Sequence, residues 1–101
     1  MITSQEQQIK QTAQGKQTLI KGEYTPAEAL EIVEHLFSKK INFHEQNNFG
    51  KLIRTGAKDP ITDKRIAELK DAFSQAKMLI KEAEVTGKRV RMNSTITFEL
   101  I

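Results

Sequence analysis

Apolar residues in the second half of the chain are spaced three, four, three, four and three residues apart, at Ile66, Leu69, Phe73, Ala76, Ile80 and Ala83. This is the a/d repeat of a helix that packs along one seam, as in a coiled coil. Asp59 is a good helix cap, Pro60 suits the first helical position, and Thr86-Gly87 is a typical end. The pattern therefore predicts a helix over residues 60–86.

A second helix is predicted upstream by Thr25-Pro26-Ala27-Glu28. Thr25 is a good N-cap, Pro26 falls at the first helical position, and Glu28 stands where a capping box requires it. Two neighbouring apolar stripes follow, one formed by Leu30, Val33, Phe37, Ile41 and His44, the other by Ala29, Ile32, Leu36 and Phe43. The helix can continue to Thr55, with Gly56 as its C-terminal residue. A break at residues 47–50 is the main alternative, because Asn47, Asn48 and Gly50 are weak helix formers.

The two ends of this helical region are predicted to be strands. Residues 18–24 (TLIKGEY) form a short segment that includes Leu19, Ile20 and Tyr24 and precedes a helix start. Residues 88–101 alternate, with Val90, Met92, Ser94, Ile96, Phe98 and Leu100 on one face and polar residues on the other. This alternation is typical of a strand with one buried and one wet face.

The element order predicts an α+β fold, β-α-α-β, with a long antiparallel helical hairpin and paired terminal strands. Both strands would lie at the same end of the hairpin and could pair antiparallel without a crossover. Residues 1–16 are rich in Gln and nearly lack apolar groups, so a mobile arm is expected there. Residues 17–101 are then a single domain.

The apolar pattern exceeds what one hairpin can bury. A two-stranded ribbon is also marginal by itself, and its edge is exposed. Two copies would relieve both problems by forming a four-helix bundle and a small antiparallel sheet. We therefore expect a homodimer with its interface at Ile32, Leu36, Phe43, Leu79, Ile96 and Phe98.

Composition excludes several function classes. The sequence has no Cys, which removes disulfides, thiolate nucleophiles and Cys-ligated metals. It lacks an apolar run of the roughly 20 residues that a membrane span needs, and its start does not resemble a signal peptide. We expect a soluble, cytoplasmic protein without membrane association. The net charge of +3 is ordinary for such a domain.

No motif predicts catalysis. His35 and His44 are the only histidines, and their spacing places them on opposite sides of one helix. No HExxH, phosphate-binding glycine loop or nucleophile motif is present. We therefore assign no catalytic, cofactor-binding or metal-binding residue and expect neither enzymatic activity nor a cofactor.

Two basic clusters are candidate nucleic-acid contacts, at Lys51, Arg54, Lys58, Lys64 and Arg65 and at Lys88, Arg89 and Arg91. Solvated charge is the favoured interpretation, because no aromatic residue lies on the wet strand face for base stacking. The predicted role is a small non-enzymatic, self-associating interaction or scaffold protein with one protein partner, contacted through the arm or the charged turn. The alternatives are a nucleic-acid-binding module, and a ligand- or metal-dependent enzyme at the dimer seam around His44.

Overall fold

The computed structural model describes residues 14–101 and confirms the predicted order of elements. Strand β1 spans Gln14–Tyr24, helix α1 spans Pro26–Thr55, helix α2 spans Pro60–Thr86, and strand β2 spans Val90–Glu99. The two strands pair antiparallel in one two-stranded sheet. The contacts divide the chain into a hairpin unit, Tyr24–Val90, and a sheet unit that contains the two strands apart from Tyr24 and Val90.

Strand β1 is longer than its sequence predicts. It begins at Gln14, four residues before the expected start, so Gln14–Lys16 belong to a strand and not to the predicted arm. Residues 1–13 of that arm lie outside the described residues. Residues 14–17 (QGKQ) contain no large apolar side chain, so pairing with β2 and not local preference accounts for their place in the strand.

The predicted capping box closes the N-terminus of α1. The Thr25 hydroxyl accepts the backbone N–H of Glu28 at 3.2 Å, and the Thr25 N–H donates to the Glu28 carboxylate at 2.9 Å. At the other end, Gly56 has a φ of 80° and donates its N–H to the carbonyl of Leu52 at 2.8 Å. A left-handed residue of this kind favours glycine, so the helix ends there for a local reason.

Helix α1 is continuous through residues 47–50, and the alternative of a break there is wrong. Asn48 is only 4% exposed. Its Oδ1 accepts the backbone N–H of Asp59 at 2.8 Å, and its Nδ2 donates to the Asp63 carboxylate at 2.6 Å. Asn48 is a weak helix former, but its side chain binds the N-terminal end of α2. These hydrogen bonds compensate for its low helix propensity.

Helix α2 begins at the turn that Asn48 holds. The Asp59 carboxylate accepts the N–H of Ile61 at 3.1 Å and the hydroxyl proton of Thr62 at 3.2 Å. The Ile61 N–H is the largest influence that lowers the Asp59 pKa below its ordinary value, with the nearby Lys51 adding to it. Gly87, at a φ of 71°, ends the helix as predicted.

The core of the hairpin unit follows the predicted seam. Ile41, Ile66 and Leu69 form a buried cluster, and Phe37 and Phe73 pack against it. The two phenyl rings stack on each other with their centroids 5.4 Å apart. Ala29, Val33 and Ile80, which are 0%, 7% and 5% exposed, extend the buried core toward the other end of the hairpin. The two helices therefore pack as the antiparallel hairpin that the heptad spacing predicts.

In the sheet unit, the alternation of β2 is confirmed as far as Ser94. Val90, Met92 and Ser94 are half-buried, and the residues between them are exposed. Beyond that point both faces are exposed, including Ile96 and Phe98. The Arg91 guanidinium donates across the strands to the Glu23 carboxylate at 2.9 Å.

Candidate interaction surface

Two contacts set the register of the helical hairpin. Phe37 stacks on Phe73, and the Lys70 ammonium lies 3.9 Å from the Glu45 carboxylate. Residues that approach the turn on α1 therefore lie beside residues that leave it on α2, with Phe37 level with Phe73. This register places Leu79 at the level of Ile32, near the end of the hairpin that contains Thr25.

Four large apolar residues lie on one side of the hairpin, and each directly precedes a residue of the predicted seam. Ile32 precedes Val33, Leu36 precedes Phe37, Phe43 precedes His44, and Leu79 precedes Ile80. Because the helices are antiparallel, residues that precede seam positions on either helix point to the same side. We call this set of four residues the apolar face.

The apolar face is largely exposed to water. Ile32 is half-buried, whereas Leu36, Phe43 and Leu79 are 39%, 55% and 69% exposed. The Lys40 ammonium lies 5.1 Å from the centre of the Phe43 ring, a cation–π distance. All four residues belong to the predicted dimer interface, and they lie on the same side of the hairpin.

The opposite side of the hairpin is a groove of about 840 Å³. Residues that follow seam positions line it, such as Glu34 after Val33 and Lys81 after Ile80. Its apolar lining includes Met78 and Val85, which are 72% and 75% exposed. The sequence pattern did not identify Met78 or Val85 as part of a surface, because both lie outside the heptad seam. Their large apolar side chains at positions outside the seam were the only signal.

Two further residues of the predicted dimer interface lie in the sheet unit. Ile96 and Phe98 are 42% and 53% exposed. Leu19 of β1, which was not predicted, is 52% exposed. Gly15 of β1 lies beside Phe98: a Cβ atom placed on it would be in ordinary van der Waals contact with that ring, at 3.6 Å.

The Nε2 atom of His44 is buried and has no hydrogen-bond partner among residues 14–101. No other side-chain nitrogen or oxygen of the described residues is in this position. The His44 ring meets Phe43 edge-on with centroids 5.5 Å apart. Within the described part of the chain, His, Asp and Glu side chains form no group of three that could hold a metal ion. The hypothesis of an enzyme around His44 therefore gains no ligand set from these residues and stays a prediction.

The first basic cluster surrounds the turn between the helices. Lys51 lies 3.7 Å from the Asp59 carboxylate, and Arg65 lies 3.6 Å from that of Glu68. The remaining three residues, Arg54, Lys58 and Lys64, are exposed and make no ion pair with any residue of 14–101. Three cations at this end are thus available to a partner.

The second basic cluster is divided between the two units. Lys88 and Arg89 follow the end of α2 in the hairpin unit. The hydrogen bonds from the backbone and hydroxyl of Thr25 lower the Glu28 pKa, and Arg89 adds a smaller effect. Arg91 belongs to the sheet unit and pairs with Glu23. Within the hairpin, Lys88 and Arg89 lie at the opposite end from the first basic cluster.

Comparison with protein-family models, curated proteins and solved structures finds no match to this chain. Across residues 14–101, neither helix is apolar enough over a sufficient length to cross a membrane. The function must therefore be argued from the surfaces described above.

Proposed function

We propose that the protein is a small, non-enzymatic interaction or scaffold protein that associates with a second copy of itself. The observation that supports this most directly is the apolar face, where Leu36, Phe43 and Leu79 are exposed to water on the same side of the hairpin. Exposed apolar residues are common singly, but a contiguous set on one side of an element favours an interface. In a symmetric dimer both copies of each of these side chains would be buried in the interface.

Hydrophobic burial supplies the driving force for this association. Full burial of a Leu or Phe side chain contributes about 1.5–3 kcal/mol. Packing the apolar faces of two hairpins against each other would create the four-helix bundle that the sequence predicts. Ile96 and Phe98 would add a separate contribution from the sheet unit.

Adjacent residues provide a matched test. Leu79 lies on the apolar face and Met78 lines the groove on the opposite side, with 69% and 72% of their surfaces exposed. The wild-type protein should have twice the chain mass of 11.5 kDa in sedimentation equilibrium and native mass spectrometry. Leu79→Glu should shift the protein toward the monomer, whereas Met78→Glu should leave the dimer intact. Circular dichroism would verify that both variants fold.

Two results would contradict the proposal. One is a wild-type monomer across concentrations from about 1 to about 100 μM. The other is a dimer that Met78→Glu dissociates and Leu79→Glu does not, which would assign self-association to the groove.

Nucleic-acid binding is the second candidate, favoured by Arg54, Lys58 and Lys64 at the turn. It requires binding that weakens steeply as salt is raised, because cations on the protein displace ions from the phosphates. Labelled oligonucleotides, single-stranded and duplex, would test it by fluorescence anisotropy. No binding at low salt would remove this candidate.

A further inference from the structure

Strand β2 has one edge to which no strand of residues 14–101 is paired. The sheet of these residues has two strands, so β2 pairs with β1 along its other edge. Residues 95–99 are exposed on both faces of the strand, so this half of β2 is open to water. An open edge presents a row of backbone N–H and C=O groups to which a further strand can pair.

The composition of β2 favours such pairing. Val90–Glu99 contains no Lys, Gly or Pro, the residues that commonly protect or weaken an edge strand. Strand β1 contains two of each of the first two types, at Lys16 and Lys21 and at Gly15 and Gly22. The open edge of β2 is therefore a better site for a further strand than the open edge of β1.

The alternation of β2 limits the register in which two copies of it could pair. Residues that lie directly opposite each other in an antiparallel pair are on the same face of the sheet. A two-fold axis that passes between two residues would join the apolar face of one copy to the wet face of the other. An axis that passes through a residue keeps the two apolar faces on one side.

The charges of β2 select one of these registers. Arg91 and Glu99 are the only charged residues of Val90–Glu99, and each is four residues from Thr95. An axis through Thr95 therefore places Arg91 opposite Glu99 of the second copy, and it does so twice. The same axis places the half-buried Met92 opposite Phe98 of the second copy, a side chain that is 53% exposed in one chain.

Both charged groups can take part in such a pair. Glu99 makes no ion pair with any residue of 14–101. Arg91 donates to Glu23, but its side chain is 81% exposed, and a guanidinium has five N–H donors. Each Arg91 could therefore lie between Glu23 of its own chain and Glu99 of the second copy.

We propose that the open edge of β2 pairs antiparallel with β2 of a second copy, about a two-fold axis at Thr95. The product is a four-stranded sheet in the order β1-β2-β2-β1. This inference rests on the proposed self-association, and it adds a strand contact in the sheet unit to the apolar face of the hairpin unit.

Engineered cysteines test the register, because the chain has no Cys of its own. Thr95→Cys should form a covalent dimer under mild oxidation, since the two Cβ atoms would be about 5 Å apart. Asn93→Cys and Thr97→Cys, at exposed positions of the same face, are the matched controls. Each would lie about 13 Å along the strand from its own copy and should not crosslink alone. A mixture of these two variants should crosslink, because residue 93 faces residue 97, and intact mass spectrometry would identify the mixed dimer.

Reversing single charges tests the ion pairs. Arg91→Glu and Glu99→Lys each place like charges opposite each other at two points of the dimer. A cross-strand ion pair contributes a factor of about 1.5 to 5 in affinity, so each variant should weaken the dimer about tenfold in sedimentation equilibrium. A mixture of the two variants should recover the affinity, because opposite charges then meet in both pairs. Lys21→Glu, at an exposed position of β1, should have little effect.

The outcomes separate this inference from the proposed apolar interface. A dimer that Leu79→Glu dissociates but Thr95→Cys does not crosslink would overturn the strand contact and leave the apolar face. Crosslinking of Thr95→Cys that persists when Leu79→Glu is added would support the strand contact and remove the apolar face as the interface. Self-crosslinking of Asn93→Cys or Thr97→Cys in place of Thr95→Cys would overturn the inferred register, and a wild-type monomer would overturn both proposals.

Discussion

The side chain of Asn48 accepts the backbone N–H of Asp59 at 2.8 Å, so a residue inside α1 binds the N-terminus of α2. The same side chain donates to the Asp63 carboxylate. Replacing Asn48 with Ala leaves both groups without this partner. We expect Asn48→Ala to lower the free energy of unfolding by about 2–3 kcal/mol, as measured by urea denaturation followed by circular dichroism.

The neighbouring residue is the control for this prediction. Asn47 is exposed and has the same helix propensity, so Asn47→Ala should change the free energy of unfolding by less than about 0.5 kcal/mol. Equal effects of the two substitutions would show that the bonds of Asn48 do not stabilise the hairpin.

Two glycines near the turn should respond to Ala with opposite signs. Gly56 has a φ of 80°, and Gly56→Ala should cost about 1 kcal/mol of stability because a Cβ atom disfavours that conformation. Gly50 is inside α1, where Ala is the better helix former, so Gly50→Ala should stabilise by about 0.5–1 kcal/mol. The flexible Arg54 side chain, 3.4 Å from the added Cβ, can move away. Thermal denaturation would compare them, and a stabilising Gly56→Ala would contradict the capping role.

Stability should depend on pH through the Asp59 carboxyl. The hydrogen bond from the Ile61 N–H lowers its pKa below the ordinary value of 3.8 in the folded protein. A lowered pKa means that the ionised group stabilises the fold above the ordinary pKa, and that this contribution is lost as the pH falls through the lowered pKa.

Asp59→Asn isolates that contribution, because Asn keeps a capping oxygen but does not titrate. The wild type should be more stable than Asp59→Asn at about pH 6, and the difference should shrink as the pH falls below about 4. Urea denaturation at a series of pH values would measure it. A difference that is constant over this range would contradict the assignment.

Removal of the unpartnered nitrogen of His44 should stabilise the hairpin. A buried polar atom without a hydrogen bond costs about 1–3 kcal/mol, and His44 Nε2 has no partner among residues 14–101. We expect His44→Leu to raise the free energy of unfolding by about 1 kcal/mol. His35→Leu, at an exposed position of the same helix, should change it by less than about 0.5 kcal/mol. A destabilised His44→Leu variant would mean that the nitrogen has a partner in solution.

The features of the fold that depend on neighbouring residues were predictable from the sequence. The Thr25 capping box and the helix ends at Gly56 and Gly87 depend only on residues near them in the sequence. The heptad spacing from Ile66 to Ala83 indicates one packed side of α2. The place of residues 14–17 in β1 was not predictable, because it depends on pairing with a strand far along the chain. The continuity of α1 depends on Asn48 reaching Asp59 and Asp63, a contact that helix propensities do not encode.

The candidate surfaces were predictable only in part. The apolar face follows from residues adjacent to the seam, so Leu36, Phe43 and Leu79 were identified. Met78 and Val85 share a groove only because of the register of the hairpin. Phe49, Ile53 and Ile61 are exposed near the turn, and no periodic pattern predicts their exposure.

The short connection between the helices also determines the order in which the chain folds. Asn48 and Asp63 are 15 residues apart, whereas Glu23 and Arg91, which join the strands, are 68 residues apart. Pairing the strands first would require closing that whole stretch as a flexible loop, at an entropic cost that grows with its length. Formation of the hairpin brings Thr25 and Gly87 to one end and shortens the effective loop to a few residues. The sheet should therefore form late, and substitutions that slow closure of the helices should slow strand pairing equally.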